Sequence, residues 1–237
     1  MFASRIVSSV RWEVMIQLRQ GFYFASLIVF VFSALVLSEL SGDLRDLLFP
    51  VLTVSNVLTN AYAFVAMMYL LERSEGTSEA LAVTPLRSHE YLGTKIGSLT
   101  LLSVLEATGI AVFGYGLSLS KIPLFIAGVV SLSIIFVLFG YYFVSPYTSF
   151  NEAFFPIIAP IVVFNLNLIG YIGRYDSPLF LILPSQPGFI LLQDSVTNLG
   201  IGQIIISLVG TIVWVVVGGC LAMRAYKKHI NGFGVES

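Results

Sequence analysis

The chain has 237 residues, with 12 Lys and Arg against 13 Asp and Glu and a formal net charge of −1. At 11% charged and 57% hydrophobic it cannot cover a globule with polar surface, since a soluble domain has about 25% charged residues. This excludes a soluble enzyme, a nucleic-acid surface built on clustered cations and a disordered chain, and the single cysteine, Cys220, excludes an intrachain disulfide or a cysteine metal cluster.

The first predicted element is an amphipathic interfacial helix over 1–21. Ala3, Ile6, Val7, Val10, Val14 and Leu18 fall on one stripe, with Arg5, Ser8, Ser9 and Arg19 away from it. Six apolar runs follow, at 22–40, 47–71, 96–119, 122–145, 154–171 and 201–223. Each is long enough to cross a bilayer core as a helix. None shows the polar–apolar alternation of barrel strands. The first run exceeds the 7–15 apolar residues of a signal peptide and no A-x-A site follows, so it reads as a retained span. The segments between runs are too short for a separate soluble domain of at least about 50 residues. The expected fold is thus an all-α polytopic membrane protein with 1–237 as a single transmembrane domain.

Between 172 and 200, the apolar stretch 177–193 is interrupted by Pro184, Pro187 and Gly188. Neither half can span, and such pieces read as re-entrant, tolerated at depth when buried against protein. With both termini cytoplasmic, nine basic residues lie inside (Arg5, Arg11, Arg19, Arg73, Arg87, Lys95, Arg224, Lys227 and Lys228) and three lie outside (Arg45, Lys121 and Arg174). That is a positive-inside bias. It puts the re-entrant segment on the outer face.

Catalytic chemistry is not expected. His89 and His229 lack neighbouring ligands, His89-Glu90 lacks a second histidine four residues on, and Gly76-Thr77-Ser78-Glu79-Ala80 departs from a nucleophile elbow at its last position. No metal site is predicted. No G-x-x-x-x-G-K-[ST] loop occurs, so energised work would draw on a partner or an ion gradient.

The cytoplasmic loop 72–95 is informative. Ser74 or Thr77 can cap a short helix with Glu75 or Glu79 in its first turn, where carboxylates are favoured. Ala80, Leu81 and Val83 give it an apolar side, and Pro85 stops it. Ser88 caps the next helix, running through Tyr91 and Lys95 into the third span. Such an element suits force transmission from a soluble partner, or is a solvated loop with none. The run 70–106 resembles permease subunits of type-2 ATP-binding-cassette (ABC) exporters. These carry a coupling helix after the second span with an acidic-Gly-x-x-Glu-x-Leu core, a Thr/Ser-Pro turn and a Tyr-Leu-x-x-Lys continuation. Here stand Glu75-Gly76, Glu79-Ala80-Leu81, Thr84-Pro85-Leu86 and Tyr91-Leu92 followed by Lys95. Within that class, Gly21-Phe22-Tyr23, Glu72 to Thr77 and Leu101 to Glu106 resemble the bacterial and archaeal fluoroquinolone export permeases.

The resemblance implies a coupling element made of Glu72, Glu75, Gly76, Glu79, Leu81, Val83, Thr84, Pro85, Arg87 and Tyr91. It implies ABC ATPase partner subunits carrying ATP and Mg, no cofactor on this chain, and a second permease copy or sister permease in the cell membrane. It also implies that the second and fifth spans line the interface between permeases.

Glu106 lies 11 residues past Lys95, about 16 Å along a helix and near the middle of a core about 30 Å thick. An ionised carboxylate there costs on the order of 2.5–3.5 kcal/mol. It should face the bundle, be protonated or find donors, either as a substrate or proton site or as a hydrogen bond holding helices together. Asn56 and Asn60 share a face of the second span. Asn165 and Asn167, with Pro156 and Pro160, mark the fifth as kinked and facing protein or a cavity. These four amides and Glu106 are the substrate-path candidates, for a cargo that is amphipathic or apolar. Two other readings stay open: a proton-coupled secondary transporter using Glu106, and a membrane assembly protein that transports nothing.

Overall fold

In a computed structural model, residues 2–76, 88–118, 120–173, 177–197 and 200–233 are described. Six helices are long and apolar enough to cross a membrane: Phe22–Glu39, Asp43–Ser74, His89–Tyr115, Ile122–Val144, Phe150–Ile172 and Ile201–Lys228. We number them as the first to sixth spans. Each predicted run falls on one of them, though the third, 96–119, runs past its helix, which ends at Tyr115 with Gly116 in the left-handed conformation (φ +79°). The regular elements among the described residues are all helical. The chain is an all-α, multi-pass membrane protein. Several helices outrun their apolar runs, because polar residues such as Asp43, Arg73 and His89 extend a helix past the apolar core without entering it.

The fourth span is the centre of the bundle. Phe125, Val129, Leu132, Ile135, Phe136, Val137 and Val144 are fully buried, as expected of a helix that is apolar on every side. It packs on the second, third and sixth spans and on a helix at Gln186–Thr197. The first and sixth spans are the least enclosed, leaving Phe24, Leu27, Ile28, Ile205, Ile212 and Val216 exposed on the apolar surface that faces lipid. The second span contains a π turn at Thr59–Ala63, and the third ends in one at Ile110–Tyr115.

The segment before the sixth span dips into the bundle and returns. Pro178–Ile182 is a 3-10 turn and Gln186–Thr197 a helix. Ser185 Oγ donates to the Phe164 carbonyl at 2.6 Å, Pro187 lies against Gly210, and Gly188 lies against Leu132. Those partners stand eight, nine and ten residues inside the ends of their spans, a depth of about 12–15 Å at 1.5 Å per residue. Val196, by contrast, accepts from Lys121 Nζ at the span end, at 3.5 Å. The re-entrant reading therefore holds, with one correction. Pro187 and Gly188 do not interrupt the helix but occupy its first turn, where proline's missing N–H leaves no bond unmade.

Two further elements gain detail, and in the first the break is displaced from the prolines. The fifth span stays helical through Pro156 and Pro160 and breaks at Asn165 instead. The Asn165 side-chain amide donates to the Ile161 carbonyl at 2.8 Å, an oxygen that also accepts from the Asn165 backbone N–H at 3.2 Å. The same span presents Phe154, Phe155, Ile158, Val162 and Ile169 outward, so within a single chain it packs along one side only. In the N-terminal helix, Phe2–Arg19, the buried ones among the described side chains are Glu13 and Gln17, while Leu18, Trp12 and Met15 are exposed. The inward face thus carries two polar side chains with partners in the third span, together with Val10 from the edge of the stripe, whose Cγ2 lies 3.4 Å from the Cβ position of Gly97.

The re-entrant helix depends on a close backbone approach. A Cβ on Gly128 would sit 3.0 Å from the Leu192 nitrogen and 3.1 Å from the Gly188 carbonyl oxygen, atoms that cannot swing away. Gly128→Val should therefore lower the thermal midpoint in detergent, by overpacking worth about 1–3 kcal/mol. Gly219→Val, where nothing lies within 4 Å, should leave the midpoint unchanged. Equal midpoints for both would contradict this packing.

Candidate functional site

The two helices that flank the 72–95 loop are tied together at its root. Glu72 stands at the end of the second span, and Tyr91 and Lys95 stand in the first turns of the third. Lys95, only 1% exposed, lies between Glu13 Oε1, at 2.9 Å, and Glu72 Oε1. Tyr91 OH donates to Glu72 Oε2 at 2.7 Å, and the Lys95 ammonium sits 5.5 Å from the Tyr91 ring centre. One turn on, Gln17 Nε2 donates to Ser98 Oγ at 2.8 Å. A buried charge is tolerated when it is paired and hydrogen-bonded, and here one cation satisfies carboxylates from two other elements. Glu13 Oε2 has no donor within the described residues. Burial pushes the Glu13 carboxyl above its ordinary range, with the Lys95 ammonium opposing.

Aromatic contacts extend the joint. Tyr91 packs 6.0 Å from Tyr141 of the fourth span and 5.4 Å from Tyr226 of the sixth, and Tyr69 packs 5.3 Å from Tyr141. Tyr69 OH donates to the Ser145 carbonyl at 3.0 Å and accepts from Arg73 Nη1 at 2.9 Å. The N-terminal helix and the second, third, fourth and sixth spans therefore meet around the root of one loop.

Of the residues predicted for coupling, Glu72 and Tyr91 meet in this joint. Glu75 and Gly76 end the second span: Glu75 N–H donates to Leu71, and Gly76 takes φ +70°, the left-handed conformation that glycine favours after a helix. Ser74 does not cap a following helix, since it is the last residue of the second span and its hydroxyl bonds back to Leu71. Glu79, Leu81, Val83, Thr84, Pro85 and Arg87 lie outside the described residues. Sequence reasoning did not single out Glu13 or pair it with Lys95. The available signal was a carboxylate within a largely apolar helix and a lysine at the mouth of an apolar run, each in need of a partner.

A second polar group lies at mid-span. Glu106 Oε2 accepts from Ser26 Oγ of the first span and from Asn60 Nδ2 of the second, with Asn60 Nδ2 3.4 Å from Ser26 Oγ. Asn56, one turn from Asn60, donates to Ser33 Oγ at 2.9 Å. These pairs hold the first span on the second and third. Glu106 Oε1 is buried without a partner. Asn165 bonds within its own span, and Asn167 is buried with both amide atoms unpartnered. The structure thus joins Asn60 to Glu106, sets Asn56 alongside, and keeps the fifth-span amides apart from them.

Comparison with known proteins matches residues 4–232 to the fluoroquinolones export permease protein family. The chain belongs to that family. Two fluoroquinolones export permease proteins of Mycobacterium tuberculosis, from strains CDC 1551 / Oshkosh and ATCC 25618 / H37Rv, are each 28% identical to it over 190 residues. The match covers 80% of this chain and 80% of each relative. The family agrees with the resemblance carried by the loop 72–95 and its flanks, and it makes this export permease a transporter component.

The ion joint makes a sign-specific prediction. Lys95→Met would strand Glu13 and Glu72 without their cation, and breaking a buried pair in this way costs about 3–5 kcal/mol. The detergent melting temperature should fall steeply, while Lys95→Arg should fall less. Because the Glu13 carboxyl is raised in the folded state, its contribution to stability is full below the ordinary carboxylate value. It is lost as pH rises through the raised value. Glu13→Gln should remove that part of the pH dependence of melting, and an unchanged profile would contradict it.

Proposed function

We propose that the chain is the transmembrane permease subunit of an ATP-driven ABC exporter of the type-2 class. It carries no ATPase site of its own. It pairs as a homodimer or with a sister permease, and two separate ABC ATPase subunits holding ATP and Mg dock on the loop 72–95. The observation that carries this reading is the joint of Glu13, Glu72, Tyr91 and Lys95 at the root of that loop. A loop anchored in this way passes a displacement to the N-terminal helix and four spans together, which is what a coupling element must do. Closing of the ATPases on ATP would tilt the coupling helices and turn the path from inward-open to outward-open.

The positive-inside bias supports cytoplasmic termini in a cell membrane, with the re-entrant helix on the outer side. The outward apolar residues of the fifth span suit a second permease. The cargo is amphipathic or drug-like, in keeping with the relatives' name, and passes a route offering amides, hydroxyls and aromatics. A proton-coupled secondary transporter is the second reading, favoured by Glu106 alone.

The test is Leu81→Asp. Leu81 lies in the loop beyond the apolar runs, and an aspartate there would bury an unpaired charge at a docking contact, where truncating one contact alone costs about 1–2 kcal/mol or more. The variant should insert and dimerise normally, lose most of its copurifying ATPase and show no ATP-driven export. Stoichiometric copurification with normal export would overturn the coupling role of this loop.

A further inference from the structure

The mid-span group of Ser26, Asn60 and Glu106 leaves a charge without a counterpart. Glu106 is 6% exposed. Its Oε2 accepts from Ser26 and Asn60, and its Oε1 is buried with no partner among the described residues. No cation among the described residues is placed to answer it. Lys95 is held by Glu13 and Glu72, and Arg45 Nη2 donates to the Gly114 carbonyl at 2.7 Å, toward the opposite end of the third span. Arg224, Lys227 and Lys228 sit in the last turns of the sixth span, and the fourth has no charged residue. The ionisable groups nearest in sequence on the packed elements are Tyr23 of the first span and Tyr62 of the second, and Tyr62 OH donates to the Ile157 carbonyl. A carboxyl so placed holds a proton or a cation brought from outside.

The surroundings favour exchange between the two. Asn60 lies in the π turn Thr59–Ala63, and a second π turn, Ile110–Tyr115, begins four residues past Glu106. Such turns interrupt regular helical bonding and let the adjacent segment shift. The first span, which covers the carboxyl through Ser26, is among the least enclosed of the six, and its other side, Phe24, Leu27, Ile28 and Val31, is exposed. Displacing that one helix opens Glu106 toward the lipid, where an amphiphile resides.

We propose that Glu106 is a cation-exchange site for cargo. In the closed bundle its carboxyl keeps a proton. When the first span moves aside it admits water along with the cargo, the proton leaves to that water and the carboxylate receives the positive group of an apolar cation, so the charge at mid-membrane is conserved. This rests on the export reading and names its cargo class: an amphiphile bearing one positive charge.

The test measures binding of tetraphenylphosphonium, an apolar cation, to the purified full chain in lipid nanodiscs, with neutral triphenylphosphine oxide as the control. No ATPase or nucleotide is present. Wild type should bind the cation more tightly as pH rises, releasing about one proton per cation in buffers of different ionisation heat. Glu106→Gln should keep its helix content and melting temperature, lose tenfold or more of the cation affinity together with its pH dependence, and bind the neutral compound as before. Ser26→Ala removes a donor to the carboxylate, so it should move the pH midpoint of cation binding upward without altering the fold. Cation binding that is independent of pH and releases no proton, or that survives unchanged in Glu106→Gln, would overturn the proposal. Leu81→Asp should bind the cation like wild type, so failure at Glu106 and failure at the coupling loop give different results.

Discussion

The buried ammonium of Lys95 is the interaction on which the arrangement around the loop 72–95 depends. A lysine at the mouth of an apolar helix must reach water or find carboxylates, and this one finds two, Glu13 and Glu72, on separate elements. Satisfying it fixes three things at once. The N-terminal helix is rotated to bring Glu13 and Gln17 inward, the end of the second span is held to the start of the third, and Tyr91 is oriented by its bond to Glu72. Once Tyr91 is set, its rings of contact reach Tyr141 and Tyr226. One charge thereby sets the relative position of five helices.

Within the spans a different constraint operates, because no water replaces a missing partner there. Some hydroxyls meet it locally: Thr53, Ser103 and Ser131 each donate to the carbonyl one turn back. Asn56 and Asn60 meet it across helices, holding the weakly enclosed first span in place. Glu106 meets it with only one of its two oxygens. The same node that fastens the first span also holds an unpartnered carboxyl oxygen, so a single movement of that span would both loosen the contact and uncover the group.

The spans are legible in the sequence because lipid imposes a length, and an uncharged run of about 20 apolar residues matches the thickness of a bilayer core. The re-entrant segment is legible from its prolines, but the role of Pro187 is not. Whether a proline breaks a helix or begins it depends on where the helix starts, which Ser185 and its bond to Phe164 decide. The N-terminal helix is legible as a helix, and its inward face is not. A stripe of valines and a leucine marks the apolar side, yet the burial goes to Glu13 and Gln17, whose partners stand about 80 positions away in sequence. In the fifth span the prolines suggest a kink that the helix accommodates, whereas the break falls at Asn165, which supplies the amide that stabilises it. Glu106 is legible as an oddity, and Asn60 as one of several possible donors. Ser26, an ordinary serine in an apolar run, carries no signal at all.

The most direct measurement is the composition of the complex isolated from native membrane in a mild detergent, with each subunit quantified by mass spectrometry. If this export permease works by coupling to a partner, an ABC ATPase should be recovered with it in a one-to-one ratio. The isolated complex should then hydrolyse ATP and, rebuilt into vesicles, accumulate an amphipathic dye only when ATP is present. A chain recovered without any ATPase, and moving the dye in vesicles without nucleotide, would contradict that mechanism.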